Sequence, residues 1–226
     1  GISHILETYK HLFGGKQISL VNANNQINWK LFRSFVEELG KNELKWFKKE
    51  YEVRAKQERK AKMYSKTPME KFDVLPLLSR EGEAFVDPHS DGWRWRYYKL
   101  LFDIDITTSD GEEAVRRICI NYLEALEWTF YYYIDSCKDW RWTYDYNYAP
   151  LFKDIYEKMP YYNTELIKKN NNKPVSSLLQ LAYVLPKNSL NCLPKILQEK
   201  LLDNHKDWYD DNYEFIWCFC KYFWEC

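Results

Sequence analysis

One run of apolar residues restricts the fold more than any other feature. Val115, Ile118, Cys119, Tyr122, Leu123, Leu126, Phe130, Tyr133 and Ile134 recur at three- and four-residue steps. That is the period of an amphipathic helix, not of a strand. Ahead of the run, Ser109 and Glu112 make a capping-box pattern. The spacing predicts a helix from there to about Cys137, roughly seven turns at about 3.6 residues each, with the stripe buried as core.

Directly after it comes Asp139 to Pro150, DWRWTYDYNYAP. Asp145 and Asn147 are turn formers, and Pro150 forbids continued helix. Tyr144, Tyr146, Asn147, Tyr148 and Pro150 are therefore expected to shape an irregular loop. Trp and Tyr bury large areas and anchor loops through their N–H and O–H groups. An exposed ring here would instead stack on a nucleic-acid base, for about 1–3 kcal/mol. Composition leaves that choice open.

The remaining punctuation is also mostly helical. Asn28 reads as an N-cap, with Leu31, Phe32, Phe35, Val36 and Leu39 on one face. Gly40 reads as a stop, and Leu44, Phe47 and Tyr51 restart the stripe, so residues 28–64 read as entry helices. Residues 65–92, with Pro68, Pro76, Pro88 and Gly92, read as a long loop. A short helix is expected over Phe152–Lys158, a mobile loop over Lys168–Lys173, and a short helix over Ser177–Val184. Pro194 suits the first turn of a helix that follows. The last segment, YEFIWCFCKYFWEC, reads as a buried strand pair or a helix. The sum is a mainly α chain with long ordered aromatic-rich loops and room for a short β element near the C-terminus. Only 7 glycines in 226 residues argue against a turn-rich all-β fold.

Composition bounds the function classes. With 46% hydrophobic residues the chain is expected to fold. A net charge of zero offers no general attraction to nucleic acid, so such binding has to come from local patches. The six cysteines form no CxxC pair and stand far from the histidines, which argues for reduced thiols in an intracellular, cytoplasmic protein rather than zinc. No run of about 18 apolar residues is present, so no membrane span or membrane partner is expected. The chain opens on Gly1 without an initiator Met, which suggests a piece of a longer protein.

Catalytic signatures are absent. There is no GxSxG, Walker A loop, GxGxxG or HExxH, and His89 reads as a surface turn residue. Asp103 with Asp105, Glu112 with Glu113, and Asp210 with Asp211 are paired carboxylates, but none has the further acidic neighbours of a two-metal site. They read as solvated or capping residues. The basic run Arg54–Lys62 reads as an exposed helix face. Arg94 and Arg96 alternate with Trp93, Trp95, Tyr97 and Tyr98, a pattern suited to phosphates and stacked bases.

Residue order goes further than composition. NYLEALEWTFYYYIDSCKDWRWTYDYNYAPLFKDI resembles a signature of the XRN family of 5′→3′ exoribonucleases, in which a helix of the form Y-x-E-G-L-x-W-x-x-x-Y-Y-Y is followed by a Cys and W-x-W-Y-Y-P-Y-H-Y-A-P. Tyr122, Glu124, Leu126, Trp128, Tyr131, Tyr132, Tyr133, Cys137, Trp140, Trp142, Tyr144, Tyr146, Tyr148, Ala149 and Pro150 fall in register. LLQLAYVLPKNSLNCLP, DWYDDNYE, Lys221 with Trp224, and INWKLFRSFVEELGKNELKWF are similar to flanking family segments. The family His is replaced by Asn147, its Pro by Asp145, one Tyr by Thr143, and a Gly before Lys221 by Cys220.

The resemblance implies one helical domain over 1–226: entry helices at 28–64, a loop at 65–92, the signature helix and aromatic loop at 109–160, and a truncated C-terminal part at 174–226. It implies the helical, RNA-path-lining part of an enzyme acting on 5′-monophosphate single-stranded RNA. No catalytic or metal residue is then expected in this chain. Mg²⁺ and its carboxylates would belong to an N-terminal nuclease half, on the same or a separate chain, that packs against this part. For RNA contact the expected residues are Trp140, Trp142 and Trp128, then Arg94 and Arg96. The alternative is a non-catalytic module with the same fold, an RNA-binding scaffold or a virion protein.

Overall fold

The computed structural model describes residues 1–64, 66–67, 70, 80–162 and 164–209. The helices are α1 (Ile2–Phe13), α2 (Trp29–Tyr64), α3 (Glu81–Val86), α4 (Trp93–Phe102), α5 (Ser109–Ile134), α6 (Phe152–Lys158), α7 (Ser177–Val184) and α8 (Lys195–Asn204). Two 3₁₀ turns, Lys187–Cys192 and Lys206–Tyr209, flank α8. Among the described residues β pairing amounts to one antiparallel bridge, Val21 to Ile27. The mainly α expectation holds. The segment expected as a strand pair or helix near the C-terminus lies outside the described residues, as do Asp210 and Asp211.

α5 is the spine of the main core. Val115, Ile118, Cys119 and Leu123 are fully enclosed against Val36 of α2, Tyr97, Tyr98 and Leu101 of α4, and Ile155 of α6. The stripe does not stay buried to its end. Tyr133 is 80% exposed and Ile134 half-exposed, since among the described residues no element covers the last turn of α5, and the helix stops three residues short of Cys137. Its cap also differs from the expected box. Thr108 is the N-cap, its Oγ1 accepting the Gly111 N–H at 3.0 Å. Gly111 is required there, since a Cβ would lie 1.8 Å from the Asp105 carbonyl oxygen. Glu112 turns away to Arg94 and Lys158.

Gly40 does not end a helix. α2 runs through it without a break for 36 residues, capped at its start as expected by Asn28, whose Oδ1 accepts the Leu31 N–H at 3.2 Å. A Cβ on Gly40 would meet the backbone of α6, 3.1 Å from Lys153 N and 3.4 Å from the Phe152 carbonyl carbon. The glycine is a gap into which the next helix fits. α6 has no side-chain cap of its own. Glu43, buried one turn further along α2, accepts the Phe152 N–H at 2.7 Å and the Lys153 N–H at 3.4 Å.

The expected loop at 65–92 contains α3, held by charge rather than by local pattern. Arg54 and Glu83 pair at 2.6 Å with both side chains buried, and Arg80 bridges Glu83 and Glu58. Arg54 of the basic run is thus interior, not part of an exposed face. α1 packs on α2 through Phe13, Phe35 and Leu39. A separate small cluster of Ala182, Leu190, Leu193, Leu201 and Tyr209 gathers α7, α8 and the 3₁₀ turns.

Candidate nucleic-acid interface

The free end of α5 and the aromatic loop after it build one array of rings. Trp128 and Tyr132 are one helical turn apart and stack at 5.2 Å between centroids, 12° from parallel. Trp142 returns from the loop to stack on Trp128 at 6.2 Å and 24°. Trp140 meets Tyr132 edge-on at 6.2 Å, and Tyr133 does so at 5.6 Å. Trp128 and Trp142 are half-buried. Trp140 is 40% and Tyr132 45% exposed.

The loop that carries these rings is fixed by hydrogen bonds. The Trp128 Nε1–H donates to the Asp139 carbonyl at 2.7 Å. The Tyr144 hydroxyl donates to the Tyr148 carbonyl at 2.6 Å and the Tyr97 hydroxyl to the Ala149 carbonyl at 2.8 Å. The Asp145 N–H donates to Asn121 Oδ1 at 2.9 Å. Tyr146 and Tyr148 set their edges against Phe102. Pro150 is buried and Asn147 is exposed. Tyr144, Tyr146 and Tyr148 are half-buried, as is Trp142, and Trp140 is the exposed ring of the loop, a division that composition alone left open.

A second segment straps the loop down. The Asn170 N–H donates to the Lys138 carbonyl at 2.7 Å, and the Trp140 N–H to Asn172 Oδ1 at 2.8 Å. The Asp139 carboxylate accepts from the Asn170 and Asn172 amides and from the Arg141 N–H. Those bonds, the Asn172 one foremost, hold Asp139 below its ordinary pKa. Glu127, one residue before Trp128, accepts the Leu166 and Ile167 N–H groups, both at 2.7 Å. Burial pushes its carboxyl upward against the pull of those two donors. Lys168–Lys173, expected as a mobile loop, is therefore pinned at both ends. Between strap and loop lies a cavity of about 590 Å³ lined by Asp139, Trp142, Leu166, Ile167 and residues 168–171.

Arg94 and Arg96 stand elsewhere, committed inside the fold. Arg94 bonds Asp154 through Nε at 2.9 Å and Nη2 at 2.7 Å, and Glu112 through Nη1 at 3.0 Å. Burial would raise the Glu112 carboxyl, but the Arg94 and Lys158 hydrogen bonds outweigh it and hold it below its usual value. Arg96 donates to the carbonyls of Val86, Asp87, Ser90 and Asp91. These bonds give both guanidiniums structural tasks. The W-R-W-R-Y-Y pattern gives no sign of the Glu112 and Asp154 carboxylates further along the chain, or of the carbonyls of the turn just before it.

His89 is exposed in a turn where its N–H donates to Asp87. Among the described residues no three His, Cys, Asp or Glu side chains are grouped to hold a metal ion, and no helix is long and apolar enough to cross a membrane. The sequence reading missed Tyr132 and the strap. The four-residue step from Trp128 to Tyr132 was a usable signal for the first; nothing local marks the second.

Comparison with known proteins covers this same region. The family model described as the Xrn1 helical domain matches residues 79–216. 5′-3′ exoribonuclease 1 of Saccharomyces cerevisiae is 33% identical over 120 residues, 52% of this chain and 7% of its own length. 5′-3′ exoribonuclease 2 of Gallus gallus is 32% identical over 137 residues, 59% of this chain and 14% of its own. The same-named protein of Schizosaccharomyces pombe is 34% identical over 131 residues, 55% and 12% respectively. The chain thus spans a small part of the relatives it matches.

Proposed function

From a chain that belongs to the Xrn1 helical-domain family, we propose the helical, RNA-path-lining part of a 5′→3′ exoribonuclease acting on 5′-monophosphate single-stranded RNA. The observation that carries the reading is the ring array Trp142–Trp128–Tyr132–Trp140, stacked inside and open at Trp140. A base has a π-face whatever its identity, so an indole held on a fixed loop takes successive bases without sequence preference. Trp140 is the outermost contact residue, Trp142 presents a second ring toward the cavity, and Trp128 supports both. Tyr144, Tyr146, Tyr148 and Pro150 keep the loop rigid.

Phosphodiester hydrolysis belongs, in this reading, to an N-terminal nuclease half. Mg²⁺ bound there supplies charge neutralisation and an activated water. The described residues of this chain offer no ligand set for it, and no chemical step is assigned to them. They wall the path, stack bases and exclude duplex. An intracellular, cytoplasmic setting accompanies that role.

The test pairs this chain with the nuclease half on 5′-monophosphate single-stranded RNA in Mg²⁺. Cleavage is expected only with both present, and Trp140→Ala is expected to slow it while folding stays intact. Neither RNA binding nor complementation would favour a non-catalytic module with this fold. Cleavage by this chain alone would place a metal site where none has been assigned.

A further inference from the structure

We propose that the strap at residues 166–173 is a phosphate clamp, in which Lys168 and Lys169 grip the backbone of a single-stranded RNA beside the Trp142 ring; this rests on the RNA-path reading above and extends it to a segment outside the aromatic signature.

Three observations carry it. First, the strap is preorganised. Glu127 holds its start by two backbone N–H groups at 2.7 Å, and Asn170 and Asn172 tie its end to Lys138, Asp139 and Trp140. Cations on a fixed backbone lose less freedom on binding than cations on a loose loop. Second, Lys168 and Lys169 are exposed and make no ion pair among the described residues, whereas Lys138 is taken by Glu165 at 2.8 Å. The carboxylate in the same lining, Asp139, already accepts from the Arg141 N–H and two amides of the protein. Third, the cavity between strap and loop, about 590 Å³, is lined by Trp142 and by both lysines. That volume lies within the range of small-molecule sites, and ring plus cation is the pairing that single-stranded nucleic acid requires. A protein partner would call for an apolar centre. Here the lining is mostly lysine, asparagine and aspartate, with Ile167 itself buried.

The clamp is tested on the 226-residue chain by fluorescence anisotropy with a labelled 5′-monophosphate oligouridylate over a range of salt. Each neutralised phosphate contributes about 0.7 to the slope of log K against log salt for single strands. Lys168→Ala/Lys169→Ala is therefore expected to reduce the slope by about 1.4. Trp140→Ala is expected to weaken binding at every salt and leave the slope unchanged. Lys195→Ala/Lys200→Ala, which removes two exposed charges on α8, is the control and is expected to leave both alone. Circular dichroism verifies that each variant is folded. An unchanged slope in folded Lys168→Ala/Lys169→Ala, with Trp140→Ala still weakening binding, would overturn the clamp and leave the RNA-path reading standing. An equal drop in slope from the α8 pair would reduce the strap to unspecific charge. No binding by the unaltered chain would remove both readings together.

Discussion

Arg94 Nη2 lies 2.7 Å from Asp154 Oδ1, and the aspartate side chain is 1% exposed. The same carboxylate accepts the Tyr98 hydroxyl at 2.7 Å, and the same guanidinium reaches Glu112. One arginine therefore joins α4, α5 and α6. Removing one partner of a buried pair leaves the other charged without compensation, at about 3–5 kcal/mol. Arg94 is partly solvated, so Arg94→Ala is expected near the low end, about 3 kcal/mol, read from urea denaturation. RNA affinity of the folded fraction should not change. A stable Arg94→Ala chain with weakened RNA binding would return the residue to the phosphate role that its sequence neighbours suggest.

Gly40 permits a second prediction with two arms. Alanine gains about 1 kcal/mol of helix propensity over glycine, while its Cβ would meet Lys153 N at 3.1 Å and Lys153 Cα at 3.2 Å. The two effects nearly offset, so Gly40→Ala is expected within about 1 kcal/mol of the parent. Gly40→Leu has no such escape. It forces α6 away from α2 and should cost about 1–3 kcal/mol. Urea midpoints of the two variants, compared at equal m, decide. A Gly40→Leu chain as stable as the parent would mean that α6 does not sit against Gly40.

Trp128 joins packing to the outer rings. Trp128→Phe keeps an aromatic face under Trp142 and Tyr132 but loses the 2.7 Å donation to the Asp139 carbonyl. A neutral hydrogen bond contributes about 0.5–1.5 kcal/mol, and that loss of global stability is expected. The sharper readout is local. Amide exchange at Trp140, whose N–H is held by Asn172, should speed up, while exchange in the first turns of α5 should not. Uniform acceleration through α5 would mean that Trp128 supports the helix rather than the loop.

These variants also mark where sequence patterns are sufficient. α6 and α7 occupy the residues that local pattern predicts, Phe152–Lys158 and Ser177–Val184, because each is bounded by proline or a cap and needs no distant partner to be recognised. α5 is legible for the same reason. The errors share another cause. Gly40 reads as a stop because its neighbour across space, α6, is 113 residues away in sequence. α3 is hidden among prolines because a buried Arg54–Glu83 pair, not periodicity, holds it. The strap reads as mobile because its anchors are backbone groups and Asp139. In the candidate site, Trp128, Trp140 and Trp142 were singled out by residue order, and the structure links them through Tyr132. Which loop rings lie inward depends on Tyr97 and Phe102, more than 40 residues earlier in the chain, and no spacing rule records that.

Glu43 gives the fold a pH dependence whose sign is fixed by burial. Burial is the largest influence and lifts its carboxyl from 4.5 to about 7, against the two N–H groups of Phe152 and Lys153, which favour the charged form. The folded value exceeds the unfolded one, so between them the folded chain holds a proton that the unfolded chain has released. The stabilisation is complete below about pH 4.5 and is lost as pH rises through 7. At roughly 1.4 kcal/mol per unit the full span is about 3 kcal/mol. Glu127, pushed the same way by burial, adds to the slope. The urea midpoint is therefore expected to fall from pH 5 to pH 8. Glu43→Gln should flatten that fall, because the amide does not ionise while its oxygen still accepts the Phe152 N–H. A parent midpoint that rises over this interval would mean that the α6 N-terminus holds Glu43 as a carboxylate, with the helix dipole and two donors outweighing desolvation. The Glu43→Gln chain would then be less stable than the parent at pH 8 rather than equal to it or better.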